Sequence, residues 1–561
     1  MIACLRRPFH CAASRLLSTH VSKYALPALP AIALPELIIE RSRKFGDRPA
    51  LIDGPTGRTL LYSEVEPSIR NVAKSLAARG LRQGDVLGIL APNGIEYPIA
   101  LHAALSLGAK VTTLNPLYTA DEVGLQLRDA GASQLLVGNS ALLQTARSAV
   151  AKEGVNVDKL YTIEPGSDDG EGVESFATLL EQGAAAPAPP PPTFDPRTHI
   201  ACIPYSSGTS GLPKGVELTH ANVVANVVQC EVEQLNLSVD DTLVGVLPFY
   251  HIYGLTVILN LALCAGSTCV TMPRFEPELF LRVLKQHAVT VAHVAPPIVG
   301  FLAKHPAVDA VLPLPQLKEL FSGAAPLGEE LERGAAQRLG CIVRQGYGMT
   351  EAAPATHIVP YERAGAAHGS IGTLLPGMEC RVVDTETGAP LGVGERGELL
   401  LRGPNVMAGY LNKPDATAEA FDVDGFYRTG DVGYADADGM FFVVDRVKEL
   451  IKVKGFQVAP AELEAVLLGC DAIADAAVVG LPSAKHGELP KAYVVRQKGG
   501  DGEALTAADV AAFLRGRVAE YKEVAEENVE FVEAVPKSAA GKILRKELRA
   551  LEASRAAEAA A

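Results

Sequence analysis

A chain of 561 residues exceeds what one hydrophobic core usually organises, so at least two domains are expected, one of them large. With 48% apolar and only 21% charged residues, it has ample surface to bury and is not a disordered chain. Its 51 basic and 65 acidic residues, a net charge of −14, argue against a general nucleic-acid or anionic-membrane binder and leave room for a local basic channel.

The charge is uneven along the chain. Met1 to Pro35 holds no Asp or Glu, while Arg6, Arg7, Arg15 and Lys23 make it +4 and leave −18 on the remainder. Arg-rich, Ser-containing and acid-free, residues 1–35 read as a mitochondrial import presequence, with an unstructured basic terminus as the alternative. Beyond it, strand-like stretches such as VLGILA alternate with helical ones such as ADVAAFLRGRV, which predicts a layered α/β architecture. The proline-rich stretch from Gly183 to Pro196 predicts an extended loop rather than an interdomain linker, because the strand-like ACIPYSS that follows needs a sheet to join.

The segment Tyr205–His220, YSSGTSGLPKGVELTH, places a Gly/Ser loop and Lys214 between an apolar strand and a helix start at Thr219. Backbone amides around Gly208 and Gly211 can turn toward phosphate oxygens, with Ser206, Ser207, Thr209 and Ser210 as further donors and Lys214 as a point charge. This is not a Walker A loop, because Pro213 stands where the second glycine of that pattern would be. The longest apolar run, Leu255 to Ala265, is too short to span a membrane and is broken by Asn260. Nine cysteines, Cys4 and Cys11 in the head and the rest scattered without a CxxC pair, predict neither a disulfide framework nor a metal cluster and suit a reducing compartment. Near Asp445 the pattern turns from MFFVVD to the charged DRVKELIKVKG. A short helix follows, with Pro460 and Glu462 in its first turn and Gly469 at its end, so a small domain is expected at 445–561. Within it, Thr506 and Asp509 open a helix expected to carry Val510, Phe513, Leu514, Val518 and Tyr521 on one face.

The 205–220 segment resembles the phosphate loop of the adenylate-forming superfamily, which includes acyl-CoA synthetases, 4-coumarate:CoA ligases, firefly luciferase and the adenylation domains of peptide synthetases. The likeness continues in order through GYGMTEAAP (Gly346–Pro354), GELLLRG (Gly397–Gly403), YRTGDVG (Tyr427–Gly433), DRVKELIKVKGFQVAPAELE (Asp445–Glu464) and PKSAAGKILRKELR (Pro536–Arg549). It covers about residues 36–550 and is strongest toward the 4-coumarate:CoA ligase and acyl-CoA synthetase branch. The resemblance implies an α/β fold: a multi-layered domain at 36–444, with two mixed sheets flanked by helices plus a small β-barrel, and a mobile α+β lid at 445–561. It also implies two-step chemistry, in which ATP and an acid give acyl-AMP and pyrophosphate and CoA then displaces AMP.

The same resemblance assigns roles. Tyr347 would stack on adenine, with Gln345, Gly346, Gly323 and Ala324 bordering the nucleotide and acyl pockets. Asp431 would accept both ribose hydroxyls through its two oxygens, and Arg446 would reach ribose or phosphate. Thr350 offers a hydroxyl to a phosphate oxygen and Glu351 a ligand to Mg²⁺. Lys542 would bridge the acyl oxygen and α-phosphate as the catalytic lysine. Lys448 is the implied hinge, after whose rotation Lys454 and Gly455 line the CoA passage while Lys452 and Gln457 approach the adenylate. Arg274 lies where the branch carries a basic residue suited to a CoA phosphate. LPFYHIYGLTV, Leu247–Val257, resembles the acyl-pocket segment, with His251 at the mouth and Tyr253 in the wall.

Val257 stands where coumarate ligases commonly have a small polar residue, and Ala353 where glycine is more usual. An unpartnered 4-hydroxyl buried there would cost about 1–3 kcal/mol, so medium-chain fatty or cinnamate-like acids are expected over 4-hydroxycinnamates. A 4-coumarate:CoA ligase proper, a luciferase-like oxygenase and a carrier-loading module are the alternatives; YHIYG in place of a double-His HHGF disfavours the second. No nucleic acid, transmembrane segment or obligate protein partner is expected. The basic head makes the expected location mitochondrial, with the cytoplasm as alternative; no C-terminal peroxisomal Ser-Lys-Leu is seen.

Overall fold

The computed structural model describes residues 19–164, 172–206, 213–231, 237–453, 456–483, 486–499, 502–538 and 541–560. Short runs of aliphatic residues, such as Val86–Leu90 and Val291–Val294, are buried along their whole length, as parallel strands covered on both faces must be. They assemble into two nine-stranded sheets. In the first, the parallel strands Lys110–Leu114, Val86–Leu90, Gln134–Val137, Lys159–Thr162 and Val173–Ser175 follow an end built from Ile200–Cys202, Lys214–Thr219 and Tyr205–Ser206. Gly409–Tyr410 adds to Lys214–Thr219 by antiparallel pairing. In the second, Ile342–Gly348, Glu319–Ser322, Val291–Val294, Thr242–Gly245, Thr268–Thr271 and Pro49–Asp53 run parallel, with antiparallel strands at both edges.

Helix Leu34–Ser42 packs on both Glu96–Ser106 and His220–Glu231, and the three lie in the one core that both sheets share. Glu96–Ser106 is accordingly apolar and buried nearly all round, as a helix enclosed on every side should be. Helix His220–Glu231 starts where the sequence predicts: the Thr219 hydroxyl accepts the Asn222 N–H at 3.1 Å, and Asn222 Oδ1 accepts the Thr219 N–H at 2.9 Å. A third, five-stranded antiparallel sheet runs Thr19–Val21, Glu379–Val383, Gly397–Arg402, Tyr427–Ala435 and Phe441–Arg446. The small β-unit expected as a barrel is thus an open ladder among the described residues, tied to the second sheet's neighbourhood by a Gly372–Phe441 bridge.

The C-terminal domain has its own sheet, Phe456–Val458, Ile451–Val453, Gly487–Arg496 and Ile473–Ser483, with Val529–Phe531 parallel beside Gly487–Arg496. Its separate core gathers Ile451, Val458, Leu463, Val478, Val494 and Val510.

Three sequence expectations shift. The head does not end at Pro35: Thr19–Val21 pairs with Glu379–Arg381, Ser22 donates its N–H to the Met378 carbonyl at 3.0 Å, and Leu34 and Pro35 already belong to a buried helix. Asp445 and Arg446 complete the third sheet, so the junction falls at 447–450 rather than before Asp445. The Thr506-capped helix stops at Leu514, because Arg515 turns to extended backbone (ψ 128°) and the left-handed Gly516 follows; Val518 and Tyr521 reach the same core from beyond the helix end. From Ala186 the proline-rich stretch is the expected loop before strand Ile200–Cys202, whereas Gly183–Ala185 still belong to helix Phe176–Ala185. No helix among the described residues is long and apolar enough to cross a membrane.

Candidate active site

Open parallel sheets gather ligands outside the carboxyl ends of their strands, and four adjacent strands of the second sheet deliver side chains there. After Thr242–Gly245 come His251 and the π-helical turn Tyr253–Asn260, a widened turn that holds Tyr253 and Val257 in the core. After Val291–Val294 come Ala295 and Pro297, and after Glu319–Ser322 come Gly323 and Ala324. Ile342–Gly348 itself carries Gln345, Gly346 and Tyr347 and leads into the turn Thr350–Ala352. Gly323 faces the Tyr253 ring so closely that a Cβ there would lie 2.8 Å from Cε1. Ala324 and Ala353 both adopt the left-handed backbone, at φ +73° and +62°.

The third sheet brings a charged group to the same place. Asp431 and Arg446 are opposite neighbours on paired strands, with Arg446 Nε 3.2 Å from Asp431 Oδ1. Tyr347 donates its hydroxyl to Asp431 Oδ2 at 2.5 Å, so burial and this carboxylate hold the phenol well above its ordinary pKa. Glu351 is buried, and Tyr410 donates its hydroxyl to Glu351 Oε1 at 3.0 Å. The ammonium of Lys214 sits 4.8 Å from the centre of the Tyr410 ring, which links the base of the phosphate loop to Glu351. Ser206 Oγ and Ser322 Oγ are buried with no protein partner among the described residues.

Lys542 enters from the small domain on a tight turn, in which Ser538 donates its N–H to the Lys542 carbonyl at 2.8 Å. Gly541, left-handed at φ +81°, rests on the large domain: a Cβ there would be 3.2 Å from Ala295 Cβ and 3.3 Å from Pro297. Burial, and then the Arg446 charge, pull the Lys542 pKa down to about 8, against the opposing pull of Glu449, Asp431 and Glu351. His251 is held neutral, its pKa lowered to about 4 by burial and by Lys542. Its Nδ1 accepts the Tyr253 N–H at 3.3 Å, which leaves the proton on Nε2.

The structure therefore brings together Lys214, His251, Tyr347, Glu351, Asp431, Arg446 and Lys542, with Thr350 in the turn beside Glu351. It leaves others apart. Arg274 is a surface residue, its side chain 80% exposed and paired with Glu276 at 2.7 Å, not with the gathered groups. Lys448 is exposed at the domain junction, and Lys452 points outward on Ile451–Val453, paired in register with Gln457. Ser207, Gly208, Thr209, Ser210, Gly211, Lys454 and Gly455 lie outside the described residues. Sequence reasoning missed Tyr410, whose only signal was its place in a Gly-Tyr pair after GELLLRG, and His293, a buried imidazole whose Nδ1 lies 3.3 Å from the Tyr253 hydroxyl.

A two-sheet α/β body whose strand ends meet a lysine supplied by a second domain defines a nucleotide-dependent, carboxylate-activating enzyme. The chain belongs to the AMP-binding enzyme family, which matches residues 38–411, with the AMP-binding enzyme C-terminal domain at 462–542. It is 39% identical over 543 residues to a probable 4-coumarate–CoA ligase 1 of Dictyostelium discoideum (94% of this chain, 97% of that one). It is 40% identical over 539 residues to 4-coumarate-CoA ligase 1 of Narcissus pseudonarcissus (93% and 95%). The ATP-bound crystal structure of MatB from Rhodopseudomonas palustris superposes with TM-score 0.80 at 29% identity over 93% of this chain and 99% of that one. The o-succinylbenzoate CoA synthetase of Bacillus subtilis, in complex with its acyl-adenylate, gives 0.77 at 28% over 92% and 98%. The protein is an adenylate-forming acid:CoA ligase.

Proposed function

We propose that Lys542 serves the first of two half-reactions at this site. The observation that carries the reading is its convergence, from another domain, with Asp431, Arg446, Glu351 and His251. A substrate carboxylate oxygen attacks the α-phosphorus of ATP, and the bond to the bridging oxygen of pyrophosphate breaks. Negative charge accumulates on the phosphoryl oxygens, where the Lys542 ammonium and the Arg446 guanidinium stand. The Nε2–H of His251 donates to the acid's carboxylate, Asp431 accepts the ribose hydroxyls, and Tyr347 lies along the base. One buried carboxylate with hydroxyls around it fits Mg²⁺, which keeps water and phosphate oxygens as most of its ligands. When bound at Glu351, that ion would neutralise charge on the phosphates.

The second half-reaction, attack of the CoA sulfur on the acyl carbon with loss of AMP, needs a different face of the lid. The exposed Lys448 at the junction and the outward Lys452 support a rotation there that withdraws Lys542 and brings Lys452, Lys454, Gly455 and Gln457 inward.

For the acid, the buried Val257 favours apolar chains, of medium-chain fatty or cinnamate-like type. A second reading, 4-hydroxycinnamate, is favoured by the Tyr253–His293 pair, whose His293 Nε2 is buried without a protein partner among the described residues, and by the names of the relatives. Acid-dependent exchange of pyrophosphate into ATP with octanoate, cinnamate and 4-coumarate decides between them. On the apolar reading octanoate or cinnamate exceeds 4-coumarate in kcat/KM by about tenfold; a 4-coumarate preference assigns His293 to the phenol.

We also propose mitochondrial import through the basic head, with any processing before Thr19, because Thr19–Val21 is a strand of the third sheet. A full-length fluorescent fusion should colocalise with mitochondria and lose this when Arg6, Arg7 and Arg15 are replaced by glutamine; cytosolic fluorescence of the unaltered chain refutes it.

A further inference from the structure

The lid helix Pro460–Leu468 begins after Ala459, whose side chain offers no oxygen to the free amides of the first turn. The acceptor comes from across the junction. Asp445, on strand Phe441–Arg446 of the large domain, takes the Ala461 N–H on Oδ2 at 2.9 Å while Oδ1 takes the Arg446 N–H at 2.7 Å. The other end of the same helix is also met by the large domain: Lys304 donates from Nζ to the Leu468 carbonyl at 3.2 Å. An acid at the amino end and a base at the carboxyl end both match the helix dipole.

Two further contacts tie this helix to the chemistry. Lys304 ends the helix Pro296–Lys304, whose Pro297 supports Gly541 beside Lys542. Arg545, three residues after Lys542, binds Glu464 of the lid helix through Nη2 at 2.5 Å and Nε at 3.2 Å, and Glu449 through Nη1 at 2.5 Å. The lid helix and the Lys542 turn are thereby one body, while Asp445 and Lys304 lie on the other side of the junction.

We propose that Asp445 and Lys304 are positioning residues of the first half-reaction, gripping the two ends of the lid helix and holding it where Lys542 meets the nucleotide. The inference rests on the two-pose reading above. Both contacts must break for the second pose, so the grip sets how the enzyme divides its time between the half-reactions.

The test measures both half-reactions separately, as acid-dependent pyrophosphate exchange and as thioester formation from a supplied acyl-adenylate and CoA. Asp445→Ala should lower exchange by about tenfold and leave thioester formation unchanged or faster. Asp445→Asn, which keeps an acceptor oxygen, should recover part of that loss. Lys304→Ala, at an exposed side chain, should lower exchange by about two- to threefold with thioester formation again spared. Equal loss of both half-reactions in the Asp445 variants, Asn no better than Ala, or no change with Lys304→Ala overturns the grip. A Lys542→Ala variant run alongside separates the two ideas. If it loses both half-reactions alike, the two-pose reading fails; if it splits them and the Asp445 and Lys304 variants do not, the grip alone fails.

Discussion

Lys542→Ala is expected to lower acid-dependent pyrophosphate exchange by about a hundred- to a thousandfold while thioester formation from a supplied acyl-adenylate stays within about threefold. The asymmetry follows from where the lysine sits. Its turn is held against Ala295 and Pro297, and its charge stands among Arg446, Asp431 and Glu351, the groups proposed above to hold the nucleotide. Charge builds on the phosphoryl oxygens only in the first half-reaction, so only that transition state loses its partner. The same ammonium sets a pH limb. Burial and Arg446 bring its pKa down to about 8, so the protonated form dominates below that pH and is lost above it. Exchange should be level through neutral pH and fall about tenfold per unit well above pH 8, and the thioester half-reaction should not share that limb. A common limb in both would mean that Lys542 acts in both steps.

The sequence was most legible where the backbone itself is the message. The glycine-rich and charged motifs that carry Tyr347, Glu351 and Lys542 lie at a strand end and in turns, and the one that carries Asp431 is a glycine-marked stretch of strand Tyr427–Ala435; such local signals survive without knowledge of the fold. The cap at Thr219, the helix Pro460–Leu468 and the loop before Ile200 were legible for the same reason, since each is set by neighbours in the chain. What escaped depends on register between distant strands. Tyr410 matters because Gly409–Tyr410 pairs with Val216 and Glu217, which places its ring under Lys214 and its hydroxyl on Glu351. His293 matters because Val291–Val294 lies beside Glu319–Ser322, and Asp445 because its strand ends where another domain's helix begins without a cap. Thr19–Val21 was misread as part of a detachable head because composition carries no record of its partner, Glu379–Val383.

Asp431→Ala is expected to raise KM for ATP by about ten- to a hundredfold and to move the Lys542 limb to lower pH. Its two oxygens are already arranged, one accepting the Tyr347 hydroxyl at 2.5 Å and the other 3.2 Å from Arg446 Nε, so on the reading proposed above a ribose would meet an acceptor that needs no reorganisation. Removing the carboxylate takes away the proposed ribose acceptor and the nearest counter-charge of Arg446 together. Arg446 then keeps only Glu449 and Glu351 as counter-charges beside Lys542, and because Asp431 is one of the groups that raise the Lys542 pKa, its loss lowers that pKa further below about 8. The ammonium is then lost at a lower pH, and exchange at pH 8 should fall more than exchange at pH 7. Asp431→Asn keeps a hydrogen-bond acceptor without the charge, so it should recover part of the ATP affinity but show the same displaced limb. An Asn variant with the unaltered pH limb would show that Asp431 does not set the lysine's pKa and that burial, Arg446 and the other two carboxylates do.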